Sequence, residues 1–476
     1  MSQSHLAAPG AAPTGGDRPD TPSIQRERRK VVAASIIGTT IEWYDFFIYA
    51  FAANLVLAQL FFEPAGPGMM QILSLVTIGL SFLFRPLGAF LAGHFGDKLG
   101  RRPMLVITLL LMGIATTGIG FLPTYDTIGM AAPIILIFLR ILQGLSAGGE
   151  WGGAVLMSVE HAAVRKRGLY GIFPQLGVPF GMLLASAMLA LMQQIAPGDA
   201  FLAWGWRVPF LFSLVLIVVG FVIRSSVEES PVFTEMAQTK QQESAPIARV
   251  FKNHTPLIII CALFFAGNNA VGYMLTGGYV QGLASRPEDQ GGLGYPPVQV
   301  QLAVLTAAVV WALSTLVAGI LTDRFGRKPV VTVGWFVQAA GIIPLFQFVI
   351  TGGVAGVLMG TCLLAIGLGL TYGPQAVWYA ESFPASVRYS GISISYAIGG
   401  ILGGAFAPTI AQLLLQGFGS TWAIVGYLLL MTAIGFVATS FLKDRTGVPL
   451  DHEFEQSGAW ASWRPGVSDA QTANGA

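Results

Sequence analysis

The chain has 476 residues, 54% of them apolar and only 11% charged, against about 25% charged in an ordinary soluble domain. That ratio excludes most water-soluble enzymes, and 26 Lys plus Arg against 24 Asp plus Glu, a net charge of +2, leave no basic excess for nucleic acid. Fifty-nine Gly and 27 Pro beside a mean hydropathy of +0.66 exclude a disordered chain and fit a polytopic membrane protein, in whose helices both residues are common.

Residues 1–30, rich in Ala, Pro and Gly and closing on Arg26, Glu27, Arg28, Arg29 and Lys30, read as a disordered cytoplasmic tail. A cleaved leader is not expected, because the apolar run that follows is about twice the 7–15 residues of a signal h-region and carries two acids. A bilayer core about 30 Å thick takes about 20 apolar residues of helix to cross. Twelve runs of that kind follow, at 31–60, 69–93, 103–122, 131–158, 169–193, 206–223, 255–281, 298–320, 329–350, 354–380, 390–415 and 420–442. Of the 26 Lys and Arg, 22 lie in the two tails or in the loops after runs 2, 4, 6, 8 and 10, and only Arg85, Arg140, Arg207 and Arg286 fall elsewhere. Basic loops stay inside, so both termini are expected in the cytoplasm, with the chain multi-pass in the cell inner (plasma) membrane.

The hydrophilic stretch 225–254 reads as a cytoplasmic linker between two six-span bundles, 31–224 and 255–443, and 444–476, with scattered Gly, Pro and Ser, as a second disordered cytoplasmic tail. Two motifs recur across that divide. GHFGDKLGRRP follows run 2 and GILTDRFGRKP follows run 8, with Asp97 and Asp323 226 residues apart; Glu160 and Arg167 after run 4 return as Glu381 and Arg388 after run 10, each 221 residues on. Two recurrences at nearly one offset mark a 6+6 repeat. The fold class expected is an all-α polytopic membrane protein of 12 transmembrane helices in two six-helix pseudo-repeats.

The repeated loops resemble the hallmark of the major facilitator superfamily, Gly-x-x-x-Asp-x-x-Gly-Arg-Lys/Arg after the second span and again after the eighth. RILQGLSAGG, from Arg140 to Gly149, resembles its second motif. IEWYDFFIYA (41–50), FLFRPLGAFLAGHFGDKLGRRP (82–103), GGEWGG (148–153) and GWRVPF (205–210) are similar to the metabolite:proton symporter family, nearest to its shikimate-permease-like members. The resemblance spans about residues 31–443. It implies the major facilitator fold and a secondary transporter working by alternating access. The reading it supports is uptake of a small polar metabolite with protons, the metabolite being an organic acid such as shikimate or a di- or tricarboxylate. The alternatives are a proline- or betaine-type zwitterion symporter and a proton-coupled efflux antiporter.

Five ionisable residues lie deep inside the runs, away from their ends: Glu42, Asp45, Arg85, Arg140 and Glu150. A charge at a helix centre costs at least about 2.5–3.5 kcal/mol, so all five are proton-coupling candidates. Three acids face two arginines, and one carboxylate is left to bind a proton. Helical rise puts Glu42, Arg85 and Glu150 at similar depth, so Arg85 is expected to pair with Glu42 or Glu150. Asp45 then carries the proton, with Arg140 as its electrostatic partner; the other reading is a static network orienting runs 1, 2 and 4. The second half offers neutral groups, namely Asn268, Asn269 and Tyr273 in run 7 and Tyr372, Gln375, Trp378 and Tyr379 in run 10. Hydrogen-bonding side chains at membrane depth face protein or a watery cavity. The substrate contacts expected are therefore Arg85, Arg140, Tyr49, Gln175, Asn269, Tyr273, Gln375, Trp378 and Tyr379, with helix-to-helix bonding as the alternative for the neutral ones.

The repeated loops also suit a cytoplasmic gate, built from Asp97, Arg101, Glu160, Arg167, Asp323, Arg327, Glu381 and Arg388. Glu160 is expected to pair with Arg101 or Arg167, and Glu381 with Arg327 or Arg388, as exposed pairs worth only about 0–1 kcal/mol each. No P-loop, nucleophile elbow or HExxH string occurs, so neither an enzyme nor an ATP-driven pump is expected. Cys261 and Cys362, each inside an apolar run, offer no disulfide framework or thiolate metal site. Metal and cofactor are expected to be absent; the partners expected are the small-molecule solute, protons and the lipid bilayer, with no nucleic acid, around a monomer.

Overall fold

The structure, a computed structural model, describes residues 22–230, 233–234, 246–276, 278–285, 288, 292–458, 460 and 463. Among them twelve helices are long and apolar enough to cross a membrane. The first half holds span 1 (Pro22–Ala52), span 2 (Pro67–Leu99), span 3 (Arg101–Phe121), span 4 (Ala131–Glu160), span 5 (Gly177–Ile195) and span 6 (Arg207–Ser225). The second holds span 7 (Pro246–Thr276), span 8 (Pro297–Phe325), span 9 (Arg327–Thr351), span 10 (Gly353–Ser382) and span 12 (Thr421–Phe441). Span 11 runs Arg388–Gly400, passes through a π-helical turn, Ile401–Ala405, and resumes as Ala407–Phe418.

The repeat read from the loops is a repeat of packing. Span 2 lies on span 4, span 3 on spans 4 and 6, and span 1 on span 5; span 8 likewise lies on span 10, span 9 on spans 10 and 12, and span 7 on span 11. Between the halves, span 11 packs on spans 2 and 4, and span 5 on span 8. At both repeated loops one glycine turns the chain between consecutive helices, Gly100 with φ +112° and Gly326 with φ +91°. A side chain rarely adopts that backbone region, so the motif's last glycine is what lets an arginine begin the next helix at once.

Large apolar side chains such as Ile114, Phe121, Val298, Phe336 and Phe441 stay more than 60% exposed around the outside. A water-soluble surface rarely carries so much exposed apolar area, whereas lipid tails cover it. Inside, span 4 meets span 2 almost backbone to backbone: a Cβ on Gly148 would lie 2.1 Å from the Arg85 carbonyl oxygen.

Of the two expected tails, residues 1–21, 459, 461–462 and 464–476 lie outside the described residues, and the described parts are folded. Residues 26–30 belong to span 1, where Lys30 pairs with Glu27 at 3.0 Å and Arg28 Nε donates to the His161 carbonyl at 2.9 Å. Residues 444–458 are not loose either. Val448 and Leu450 are buried and a short helix, His452–Gln456, follows, its Glu455 accepting from the Ser386 backbone and hydroxyl at 3.1 and 2.7 Å. Both segments sit at the end where the basic loops gather, and there they find donors and acceptors that sequence separation conceals.

Candidate functional site

Beside the intramembrane acids of the first half stand three buried arginines, Arg85, Arg140 and Arg224, where two were expected. Arg224 ends span 6 but turns inward, pairing with Glu150 and donating to the Leu105 carbonyl at 2.6 Å. A Cβ on Gly38 would strike its guanidinium, so that glycine makes its room. The expected surplus of one acid is thereby corrected to a count of three against three. In sequence Arg224 follows the apolar run 206–223 and reads as the first residue of a basic loop, yet the buried face of span 6, Ser213, Ile217, Gly220 and Arg224, has helical spacing that points to it.

Glu150 therefore pairs with Arg224 and not with Arg85. Arg85 makes no ion pair or hydrogen bond among the described residues; its Nε is buried without a partner and its guanidinium carbon lies 4.3, 5.6 and 5.8 Å from the ring centres of Phe82, Phe46 and Trp43. Glu42 stands within electrostatic reach of Glu150, Arg85, Arg224 and Asp45, with Oε2 buried and unpartnered. Asp45 is fully buried; Oδ1 accepts from Ser213 at 2.6 Å and Oδ2 has no partner.

Arg140 is not the direct partner of Asp45. It donates to the Thr77 and Ile78 carbonyls at 3.1 and 3.3 Å, to Ser81 Oγ at 2.9 Å and to Gln143 Oε1 at 2.6 Å, and lies 3.7 Å over the Tyr49 ring. Gln143 passes the connection to Thr116 Oγ1 at 2.7 Å, and Thr116 adjoins Asp45. Arg140 reaches Asp45 only through two neutral side chains, Gln143 of the same RILQGLSAGG motif and Thr116 of span 3.

Several neutral candidates are bonded helix to helix. Tyr49 shares a 2.5 Å bond with Thr77, Asn268 donates to Thr371 at 2.6 Å, Trp378 Nε1 to the Lys443 carbonyl at 3.0 Å, and Tyr379 to the Cys261 carbonyl. Gln175 joins the halves, accepting from Trp151 Nε1 at 2.6 Å and donating to the Tyr372 carbonyl at 2.7 Å. Others remain open: the Tyr273 hydroxyl and both amide atoms of Gln375 are buried without partners, and Asn269 makes no hydrogen bond among the described residues. Tyr273 faces the Phe46 and Phe82 rings at 6.4 and 5.6 Å, which brings it beside Arg85. Tyr396, absent from the expected set, is stacked between Trp151 at 3.9 Å and Phe265 at 4.0 Å and shares a 3.4 Å contact with Tyr372.

At the basic end the halves are clamped. Asp323 accepts from the backbone N–H groups of Gly168 and Leu169 at 2.7 and 2.9 Å, across the seam at the start of a short helix, Arg167–Gly171. Arg388 of span 11 reaches Glu160 of span 4 at 3.3 Å and also donates to the Leu450 carbonyl at 3.0 Å. Arg167 donates to the Val448 carbonyl. Arg327 grips Glu381 through two bonds of 3.0 and 2.9 Å and Asp323 at 3.0 Å.

Of the expected pairings, Glu381 meets Arg327, whereas Glu160 pairs with Arg388 in place of Arg101 or Arg167. The pairs are also buried, with Arg327, Glu381, Glu160 and Arg388 side chains at most 1% exposed, so the small energies of surface pairs do not apply to them. Arg101 donates to the Gly96 carbonyl at 2.9 Å, and its backbone N–H to Glu229 at 3.0 Å. The Asp97 side chain lies outside the described residues.

Two six-helix halves, clamped at one end and lined with unpartnered polar groups along their seam, define a solute transporter. The chain belongs to the sugar (and other) transporter family of the major facilitator superfamily, whose model matches residues 30–253 and 232–453. It is 39% identical to the inner membrane metabolite transport protein YhjE of Escherichia coli (strain K12) over 415 residues, 86% of this chain and 93% of that one. It is 36% identical to the shikimate transporter of the same organism over 437 residues, 90% and 97% of the two chains. The fold matches the proton:xylose symporter XylE bound to 6-bromo-6-deoxy-D-glucose with a TM-score of 0.74 at 18% identity, covering 92% of this chain and all of that one. The chain is thus a membrane transporter of metabolites and not an enzyme.

Proposed function

We propose that the protein is a proton-coupled symporter that takes up a small organic acid by alternating access. On this reading the basic end faces the cytoplasm and the halves 31–224 and 255–443 rock about the seam. The observation that carries it is Arg85, a buried cation that makes no ion pair or hydrogen bond among the described residues and has Glu42 only within electrostatic reach. A buried charge without a direct partner is destabilising, and a carboxylate arriving from solution would relieve it. Tyr273, Gln375 and Asn269 stand ready for hydroxyl or carbonyl groups. Glu42 and Asp45, each with an oxygen left unpartnered, are the proton carriers, and the gate is the set of contacts around Asp323, Glu160 and Arg388. The name of the shikimate transporter, 36% identical, supports a hydroxylated acid among the first solutes to try.

The test is counterflow in proteoliposomes with a panel of carboxylates, amino acids and betaines, followed by uptake under an imposed pH gradient. A signal with a carboxylate, accumulation that follows the gradient, and loss of both in Arg85→Gln are expected. A signal confined to zwitterions would reject the organic acid, and accumulation indifferent to the gradient would reject the coupling.

A further inference from the structure

Among the described residues Arg85 is held by rings alone, and they come from two neighbouring helices. Trp43 and Phe46 stand three residues apart on span 1, Phe82 stands three residues before Arg85 on span 2, and all three are buried. Phe46 and Phe82 meet edge to face at 5.4 Å, and the Tyr273 ring closes against both from across the seam. Ring faces attract a guanidinium, but without the direction or the strength of a hydrogen-bonded carboxylate. The rings are therefore a place that Arg85 can leave.

Two carboxylates can claim it. Glu42 precedes Trp43 in the chain, lies within electrostatic reach of Arg85 and keeps Oε2 buried and unpartnered. The carboxylate of the solute is the second. The other charges nearby are committed, Glu150 to Arg224, Asp45 to Ser213 and Thr116, and Arg140 to Ser81 and Gln143. Tyr273, Tyr372 and Tyr396, the titratable groups in reach from spans 7, 10 and 11, are phenols and carry no charge near neutral pH.

We propose that Trp43, Phe46 and Phe82 form a resting cage for Arg85, and that this one guanidinium, passed between Glu42 and the carboxylate of the solute, couples proton to solute. The inference rests on the reading of the protein as a proton symporter of an organic acid. While Glu42 is protonated it makes no claim, Arg85 rests on the rings, and an arriving carboxylate can take it. When Glu42 gives its proton to water on the open side of the seam, the acid becomes a carboxylate and Arg85 leaves the rings to pair with it. The solute then loses its cation and departs. Proton and solute together, or neither, leave one cation beside one anion; solute alone leaves two anions to one cation, which a closed and desolvated seam resists. Proton alone leaves Arg85 to the rings, which hold it in wait. The three aromatic side chains are thus positioning residues that act through Arg85.

A readout without solute comes first. In infrared titration of the purified protein, the carbonyl band of protonated Glu42 is identified by its loss in Glu42→Gln. In Phe82→Leu and in Phe46→Leu, which weaken the cage, that band should reach half height at about tenfold higher proton concentration, because Arg85 then stands with the carboxylate. An unchanged titration in both variants overturns the proposal.

Counterflow with shikimate as trial solute supplies the second arm. The half-saturating concentration should rise about tenfold from mildly acidic to mildly alkaline medium in the unaltered protein, and become independent of pH in Glu42→Gln, whose amide cannot compete for Arg85. Phe82→Leu should raise it about tenfold with the maximal rate within about twofold, and adding Glu42→Gln should cancel that rise. A ring that only filled space would leave a defect that Glu42→Gln does not repair, and that result overturns the proposal, as does a pH dependence retained in Glu42→Gln. Uptake by the unaltered protein that ignores the pH gradient overturns the symport reading itself, and the infrared titration still decides whether Arg85 passes to Glu42.

Discussion

Arg224 holds Glu150 and the Leu105 carbonyl with one guanidinium, and removing one member of such a buried pair costs about 3–5 kcal/mol because the other charge stays behind. Arg224→Gln alone should lower the melting temperature in detergent steeply, whereas Glu150→Gln with Arg224→Gln should recover part of the loss. Two single losses that simply add would show that the pair is not coupled. His161 makes a prediction of opposite character. It closes span 4 with its ring against the Met157 carbonyl at 2.8 Å, and burial holds its imidazole below the ordinary 6.5 even though Met157, Glu160, Glu27 and Glu229 pull the other way. The unfolded chain then binds a proton that the folded chain refuses, so stability rises with pH across the interval below 6.5 and is lost as pH falls through it. Comparing thermal unfolding in neutral and mildly acidic buffer, His161→Gln should flatten the acid-induced drop; an unchanged drop would remove His161 as its source.

The short helix Arg167–Gly171 begins with two N–H groups that have no partner within the helix, and the Asp323 carboxylate supplies one from the other half. Hydrogen bonds to a charged group are worth about 1.5–3 kcal/mol each. Asp323→Asn should therefore shift the population opened at the basic end by about tenfold or more. Gly168→Ala should do the same without touching any charge, because a Cβ there would stand 2.6 Å from Asp323 Oδ1 and 2.7 Å from the Gly319 carbonyl. Spin labels at the exposed Arg165 and Arg324 would report the separation, and a Gly168→Ala distance distribution identical to the unaltered protein would remove this contact from the clamp. Spans and repeated loops were legible in the sequence because length, apolarity and a fixed offset are local or periodic signals. Partner choice was not: within its own half Glu160 is offered only Arg101 or Arg167, and Arg388 becomes its partner only once the halves are face to face. Arg140 and Arg85 show the same limit, since sequence places both in the membrane but only packing shows one hydrogen-bonded on every side and the other held among aromatic rings without a hydrogen bond. The tail from 444 looked disordered because its bonds run to residues about 60 and 280 positions away.

The whole molecule is lopsided: the ionisable groups of the membrane interior gather in spans 1, 2, 4 and 6, while spans 7 and 10 contribute amides and phenols. Alternating access then requires the neutral half to move against the charged one, and the buried pairs of the clamp must exchange one another for water as it opens. Water entering at the basic end offsets the cost of about 3–5 kcal/mol that a broken buried pair would otherwise carry. Such a motion can be stopped deliberately. A Cβ placed on Gly152 of span 4 would lie 3.3 Å from Ser393 Cβ of span 11, close to the 3.5–4.5 Å at which a disulfide closes without strain. With Cys261→Ser and Cys362→Ser, Gly152→Cys combined with Ser393→Cys should crosslink under mild oxidation and hold the basic end shut. Counterflow should then fall to background and return on reduction, while each single cysteine variant stays insensitive to oxidant. Full exchange through a completely crosslinked protein would mean that the seam at Gly152 and Ser393 stays fixed during transport, and the rocking of one half against the other would have to be abandoned.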